Sequence, residues 1–163
     1  MTLAYIGVGS NVGDSRRIVD EAAIRLAAFA RDGRVRAAGH YLTPPWGRSD
    51  QPDFINTVVE IDTDLAAADL LAVLLKVEQA AGRVRDGGRW GPRALDLDVL
   101  LYGDCVLSEP GLVVPHPHLA ERAFVLLPLA ELAADRQVPG LGRVADLLAR
   151  VDTTGCRRLD NVP

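Results

Sequence analysis

The chain has 163 residues, 48% hydrophobic and 25% charged, so one domain over 1–163 buries enough surface to fold without a disulfide framework or a metal staple. A net charge of -4 and a pI near 5.3 exclude a protein that coats nucleic acid through its overall field, and no apolar run approaches the length of a membrane span. Cys105 and Cys156 form no CxxC pair and no basic-then-apolar leader precedes the first strand-like run, as expected of a cytoplasmic protein.

Residues 3–8 read as a short strand stopped at Gly9. Ile18, Ala22, Leu26 and Ala30 then recur at helical spacing over 18–30, with Asp14 or Ser15 as cap and Gly33 as stop. The intervening Gly7-Val8-Gly9-Ser10-Asn11-Val12-Gly13 is spaced GxGxxxG, the next strand lacks a ribose-gripping acid, and no Walker lysine follows. It is therefore read as a tight turn. A second strand at 35–42 is broken by Thr43-Pro44-Pro45, since paired prolines remove two backbone donors, and a third runs over 54–61. Their connection is too short for a parallel crossover, which makes the pair antiparallel. Leu70, Leu74, Val77 and Ala81 stripe a helix over 65–81, with Asp64 available as its cap. A fourth strand over 95–102, a Pro-rich turn at 115–117, a helix at 122–134 and a short apolar helix at 144–151 complete the chain. This order predicts an α+β fold, with one mixed or antiparallel sheet and helices packed on it.

The strongest chemical signal is Leu95-Asp96-Leu97-Asp98-Val99-Leu100-Leu101. Strand alternation sends Asp96 and Asp98 to one face, with Cα atoms about 6.6 Å apart, close enough to share or bridge magnesium ions. The same pattern also suits the wet side of an amphipathic strand. Upstream, residues 83–93 hold Arg83, Arg85, Arg89 and Arg93 against the single acid Asp86. Guanidinium forks match phosphate oxygens, and the glycines in this loop permit close approach, so a cationic loop feeding paired acids fits a metal-bound polyphosphate.

Weaker signals surround it. Glu78 lies at the edge of its helix's buried stripe and could pair with Arg83 or Arg85 or accept hydrogen bonds from a ligand. Phe54 and Asn56 share a strand face, placing an aromatic plane beside an amide that suits a flat heterocycle, although core packing uses the same residue types. His116 and His118 alternate with prolines and could donate to phosphate or sit in a surface turn.

Gly9-Ser10-Asn11, Thr43-Pro44-Pro45, Pro52-Asp53-Phe54-Ile55-Asn56, Gly82-Arg83-Val84-Arg85, Arg89-Trp90-Gly91-Pro92-Arg93, Leu95-Asp96-Leu97-Asp98 and Val114-Pro115-His116 together resemble the 6-hydroxymethyl-7,8-dihydropterin pyrophosphokinase family, in the same order over 4–132. The resemblance implies a ferredoxin-like α+β sandwich that moves diphosphate from ATP to the pterin hydroxymethyl group in folate synthesis, with AMP released. It assigns two magnesium ions to Asp96 and Asp98, and phosphate contacts and catalysis to Arg85 and Arg93 with those two acids. Thr43, Pro44, Trp46, Phe54, Asn56 and Phe124 are implied to form the pterin pocket. Glu78, Arg85, Trp90, Arg93, Val99, His116, His118 and Arg122 are implied to lie at the nucleotide. Trp46 stands where a smaller apolar residue is common, and Gly111 and Val113 stand where polar or basic residues are common. ATP and the pterin are then the partners, with monomer as the default and no nucleic acid or membrane, since no RNP-like aromatic pattern is present. A nucleotide sensor and a kinase releasing ADP are the rival readings, because fold alone does not fix function.

Overall fold

The computed structural model describes residues 1–45, 50–82 and 94–159. In chain order the elements are β1 (Thr2–Ser10), α1 (Ser15–Leu26), β2 (Arg36–Ala37), β3 (Tyr41–Thr43), β4 (Phe54–Thr63), α2 (Ala67–Ala80), β5 (Asp96–Tyr102), β6 (Leu107–Glu109), β7 (Leu112–Val114), α3 (Ala123–Ala133), β8 (Gln137–Val138), β9 (Gly142–Arg143), α4 (Val144–Leu148) and β10 (Arg157–Arg158). The main sheet runs β10-β3-β4-β1-β5 with every pair antiparallel, and β2 also pairs with β4. Strand, helix, two strands, helix, strand is the ferredoxin-like path, as expected from the sequence.

Each face of the sheet has its own helices. Ala4, Ile6 and Val8 of β1, Val59 and Ile61 of β4, and Leu97 and Val99 of β5 meet Val19, Ala22 and Leu26 of α1 and Leu70, Leu74 and Val77 of α2. Side chains on the alternate positions point the other way, and Tyr5, Val58, Leu100 and Leu101 meet α3 and α4 through Val125, Leu126, Leu129, Val144 and Leu147. Burying such side chains stabilises the fold by roughly 1.5–3 kcal/mol each, which is why period-two and period-3.6 patterns locate these elements.

Two bulges depart from simple pairing. Arg36 and Ala37 pair with Glu60 and Val59, whereas Tyr41, Leu42 and Thr43 pair with Asn56, Ile55 and Phe54, a register one residue out of step. The strand expected over 35–42 is thus two short strands around a bulge that contains Gly39, with Ala38 N–H still donating to Val58 O at 3.0 Å. In β5, Tyr5 pairs with Leu101 but Ile6 pairs with Val99, so Leu100 is extra. This bulge lets the consecutive Leu100 and Leu101 enter the same core, which strict alternation forbids.

Two further expectations change. The first strand continues through Gly9 to Ser10, so Gly7 and Gly9 are strand residues rather than a tight turn. Among the glycines of that run, Gly13 alone has a left-handed φ, at 79°. Asp64 does not cap α2, which starts at Ala67 without a side-chain cap. Asp64 instead pairs with the Met1 amino group at 3.4 Å and Arg31 at 3.7 Å, while Thr63 Oγ1 accepts the Leu65 N–H at 3.1 Å and the helix starts at Ala67 rather than at 65. Asp14 does cap α1, accepting from Arg17 N–H at 3.4 Å.

Candidate active site

α3 and α4 cover only part of the second sheet face. Towards the other end of that face the register brings three strands side by side: Gly9 of β1 lies between Asn56 of β4 and Asp96 of β5, and Gly7 lies between Val58 and Asp98. Thr43 of β3 opposes Phe54. Because directly paired residues share a face, Thr43, Phe54, Asn56, Asp96 and Asp98 all point to the same side. Asn56 Nδ2 donates to Thr43 Oγ1 at 2.8 Å, so the amide is held in place by the neighbouring strand.

The glycines between these groups are required by space. A Cβ on Gly9 would fall 2.4 Å from Asn56 Oδ1, whereas one on Gly7 would meet only Leu100 at 3.5 Å. Gly9 therefore clears the floor on which the Asn56 amide lies. Sequence reasoning missed this role, although glycine inside a strand is the pattern that marks close approach. Asn11 was also passed over as an individual. It is buried, and its Nδ2 donates to Gln51 Oε1 at 2.9 Å and Pro52 O at 3.0 Å, tying the end of β1 to the segment that enters β4.

Around the acids the structure gathers His116, Arg122 and Phe124. His116 N–H donates to Leu100 O at 2.9 Å, which fixes this segment beside β5. His118 N–H donates to His116 Nδ1 at 3.1 Å, so the neutral ring carries its proton on Nε2, 4.0 Å from Asp98 Oδ1. Burial, helped by the positive Arg122 and by His118, pushes His116 down to about 4, so it is neutral at pH 7. Arg122 is buried, with its guanidinium carbon 5.3 Å from the centre of the Phe124 ring. Burial works against its charge, while Asp98, Asp96 and Glu121 favour it. His118 turns away to Glu121, with Nδ1 2.9 Å from Oε2.

Two of the expected residues have buried side chains. Val99 is buried in the helix-side core, opposite the acids. Glu78 is 1% exposed, and its Oε2 accepts the Leu97 N–H at 2.8 Å. Among the described residues β5 is the outer strand of the sheet, so this carboxylate takes a donor that none of the described strands takes, and it anchors the backbone between Asp96 and Asp98. Glu78→Leu is expected to lower stability by about 1–3 kcal/mol by orphaning that N–H, and Glu78→Gln, which keeps an acceptor, by less. A shift in the urea midpoint without a change in slope checks this, and an unshifted midpoint for Glu78→Leu would count against the anchor. Trp46, Arg85, Trp90 and Arg93 lie outside the described residues.

Two acids side by side, with no third His, Cys, Asp or Glu completing a cluster among the described residues, make an incomplete cage. Such a donor set suits a hard cation whose remaining positions are filled by phosphate oxygens and water, the manner in which magnesium binds.

The sequence profile of the family described as 7,8-dihydro-6-hydroxymethylpterin-pyrophosphokinase (HPPK) matches residues 5–134. A 2-amino-4-hydroxy-6-hydroxymethyldihydropteridine pyrophosphokinase of Methylorubrum extorquens is 46% identical over 160 residues, covering 98% of this chain and 100% of that protein. One of the same name from Pseudomonas aeruginosa is 43% identical over 155 residues, covering 95% of each. Among solved structures, an HPPK-DHPS triple mutant of Plasmodium falciparum superposes with a TM-score of 0.73 at 14% identity, which bears on the fold alone. There 91% of this chain spans 44% of the longer one. With nearly full-length relatives on one side and this ferredoxin-like sheet on the other, the chain belongs to the 7,8-dihydro-6-hydroxymethylpterin-pyrophosphokinase family.

Proposed function

We infer that this chain catalyses the reaction its family is named for, transferring diphosphate from ATP to the hydroxymethyl group of 6-hydroxymethyl-7,8-dihydropterin in folate synthesis. The substrate oxygen attacks the β-phosphorus, the bond from that phosphorus to the α-phosphate oxygen breaks, and AMP leaves. The hydroxyl proton passes to an acceptor at the site, for which Asp96 is the candidate.

The observation that carries this reading is the register across β4, β1 and β5. It sets the Asn56 amide and the acids on one face, two strand spacings or about 10 Å apart, with only glycine between them. That separation suits a flat heterocycle on the Thr43, Pro44, Phe54 and Asn56 side with its hydroxymethyl arm directed at Asp96 and Asp98. Phe124 and Trp46 complete the pterin pocket in this reading. Asp96 and Asp98 hold magnesium, two ions in all, which supplies charge neutralisation on the phosphate oxygens. Arg122, buried yet charged, adds a fixed positive charge beside the acids, and neutral His116 offers a donor at Nε2. His118, Trp90 and the backbone near Val99 and Glu78 line the nucleotide side, while Arg85 and Arg93 clamp phosphates and enter the proposal on sequence grounds. Positioning and electrostatics carry most of the rate.

A cytoplasmic monomer belongs to the same reading; Cys105 and Cys156 are free, and among the described residues no helix is long and apolar enough to cross a membrane. The test is product analysis with ATP, magnesium and hydroxymethyl dihydropterin. AMP and diphosphorylated pterin are expected in equal amounts. ADP would replace this reading with a monophosphate kinase, and no turnover would replace it with a nucleotide sensor.

A further inference from the structure

We propose that residues 153–159, outside the stretch 5–134 that the family's sequence profile matches, are a strap that positions the pterin wall of the site, with Arg158 as its latch. The proposal rests on the assignment of Thr43, Pro44 and Asn56 to the pterin.

β3 is three residues long, and on one side it pairs with β4 through Tyr41–Asn56, Leu42–Ile55 and Thr43–Phe54. A strand that short with one neighbour is marginal. Its other edge is covered by β10, where Arg157 pairs with Leu42 and Arg158 with Tyr41, and Leu159 N–H donates to His40 O at 2.8 Å. Behind β10, the turn at Gly155 reaches Pro44: a Cβ there would sit 3.4 Å from Pro44 Cγ. The strap therefore touches both strand and proline of the wall.

One carboxylate fastens it. Glu131 of α3 accepts Arg158 Nε at 3.2 Å and Nη2 at 3.3 Å, the Tyr41 hydroxyl, and the Gly39 N–H at 3.1 Å. Burial works to raise this carboxyl, but the hydrogen bonds from Arg158, Tyr41 and Gly39 together hold it below its ordinary value. Tyr41, raised to about 12 by burial and by Glu131, stays a donor at neutral pH. The guanidinium lies over the bulge, where a Cβ on Gly39 would come within 2.6 Å of it. Tyr41 shares its face with Asn56 and Thr43, so a shift of β3 moves the hydrogen-bonded pair that meets the heterocycle. The acids stand on β5, four strand positions from β10 in the sheet.

The experiment titrates 6-hydroxymethylpterin into full-length protein saturated with a non-hydrolysable ATP analogue and magnesium, and separately titrates the analogue. Arg158→Ala is expected to weaken pterin binding about fivefold and leave analogue binding within twofold, because sub-ångström misplacement costs affinity only where the moved groups make contact. Arg158→Lys should recover part of the loss. Gly39→Ala, which pushes the guanidinium aside without deleting it, should reproduce it. Unchanged pterin binding in Arg158→Ala and Gly39→Ala, or equal weakening of both ligands, overturns the strap. Phe54→Ala in parallel separates the two levels: if it weakens pterin binding while the strap variants do not, the strap alone fails. If none of them does, the pocket assignment fails and takes the strap with it.

Discussion

Asp98→Ala is expected to slow AMP formation by about a thousandfold or more, on the order of 4 kcal/mol of transition-state stabilisation. Asp98 is half-exposed, so its loss leaves no cavity and should not unfold the protein. What it removes is charge. The buried Arg122 would lose one of the acids that favour its charge, and one carboxylate instead of two would face the polyphosphate. Asp98→Asn should lose nearly as much, because an amide oxygen keeps the shape without the negative charge that a divalent cation requires. Single-turnover AMP production measures the chemical step. Binding of a non-hydrolysable ATP analogue with and without magnesium reads the site directly, and the magnesium-dependent part should vanish in both variants. AMP formation within tenfold of the unmodified protein would remove Asp98 from the metal-holding role.

Gly9→Ala is expected to weaken pterin binding about a hundredfold while costing only about 1–3 kcal/mol of stability. The added carbon would overlap Asn56 Oδ1 at 2.4 Å, so the amide must leave its place and its hydrogen bond to Thr43. The nearest atoms belong to Asn56 and Phe54 and none to Asp96, so binding of the ATP analogue should stay within a few-fold. Gly7→Ala is the control, because its Cβ meets Leu100 at an ordinary 3.5 Å. Equal pterin affinity in Gly9→Ala and the unmodified protein would mean that the Asn56 amide is not a pterin contact.

Much of the site was legible in the sequence because its most informative residues obey strand alternation. Asp96 and Asp98 could be placed on one face by counting, as could Phe54 and Asn56, and both pairs lie on the face expected of them. Glu78 shows where counting stops. Its position at the edge of the α2 stripe is readable, with Arg83, Arg85 or a ligand as partners, whereas one partner among the described residues is the Leu97 N–H on a strand that starts eighteen residues later. No local rule connects a helix carboxylate to the open edge of a strand, because the contact exists only once β5 is the outermost strand.

By itself the sequence located the long strands β1, β4 and β5 and the four helices, though none of the short strands β6 to β10, and it showed that paired acids follow a cationic loop, since all of these depend on neighbours within a few residues. Only the tertiary structure decided that Gly9 separates Asn56 from Asp96, that Leu100 is a bulge, and that the last strand fastens β3 through Arg158 and Glu131. Each of these depends on register between strands distant in the chain. A shift of a single residue would send every one of those side chains to the opposite face.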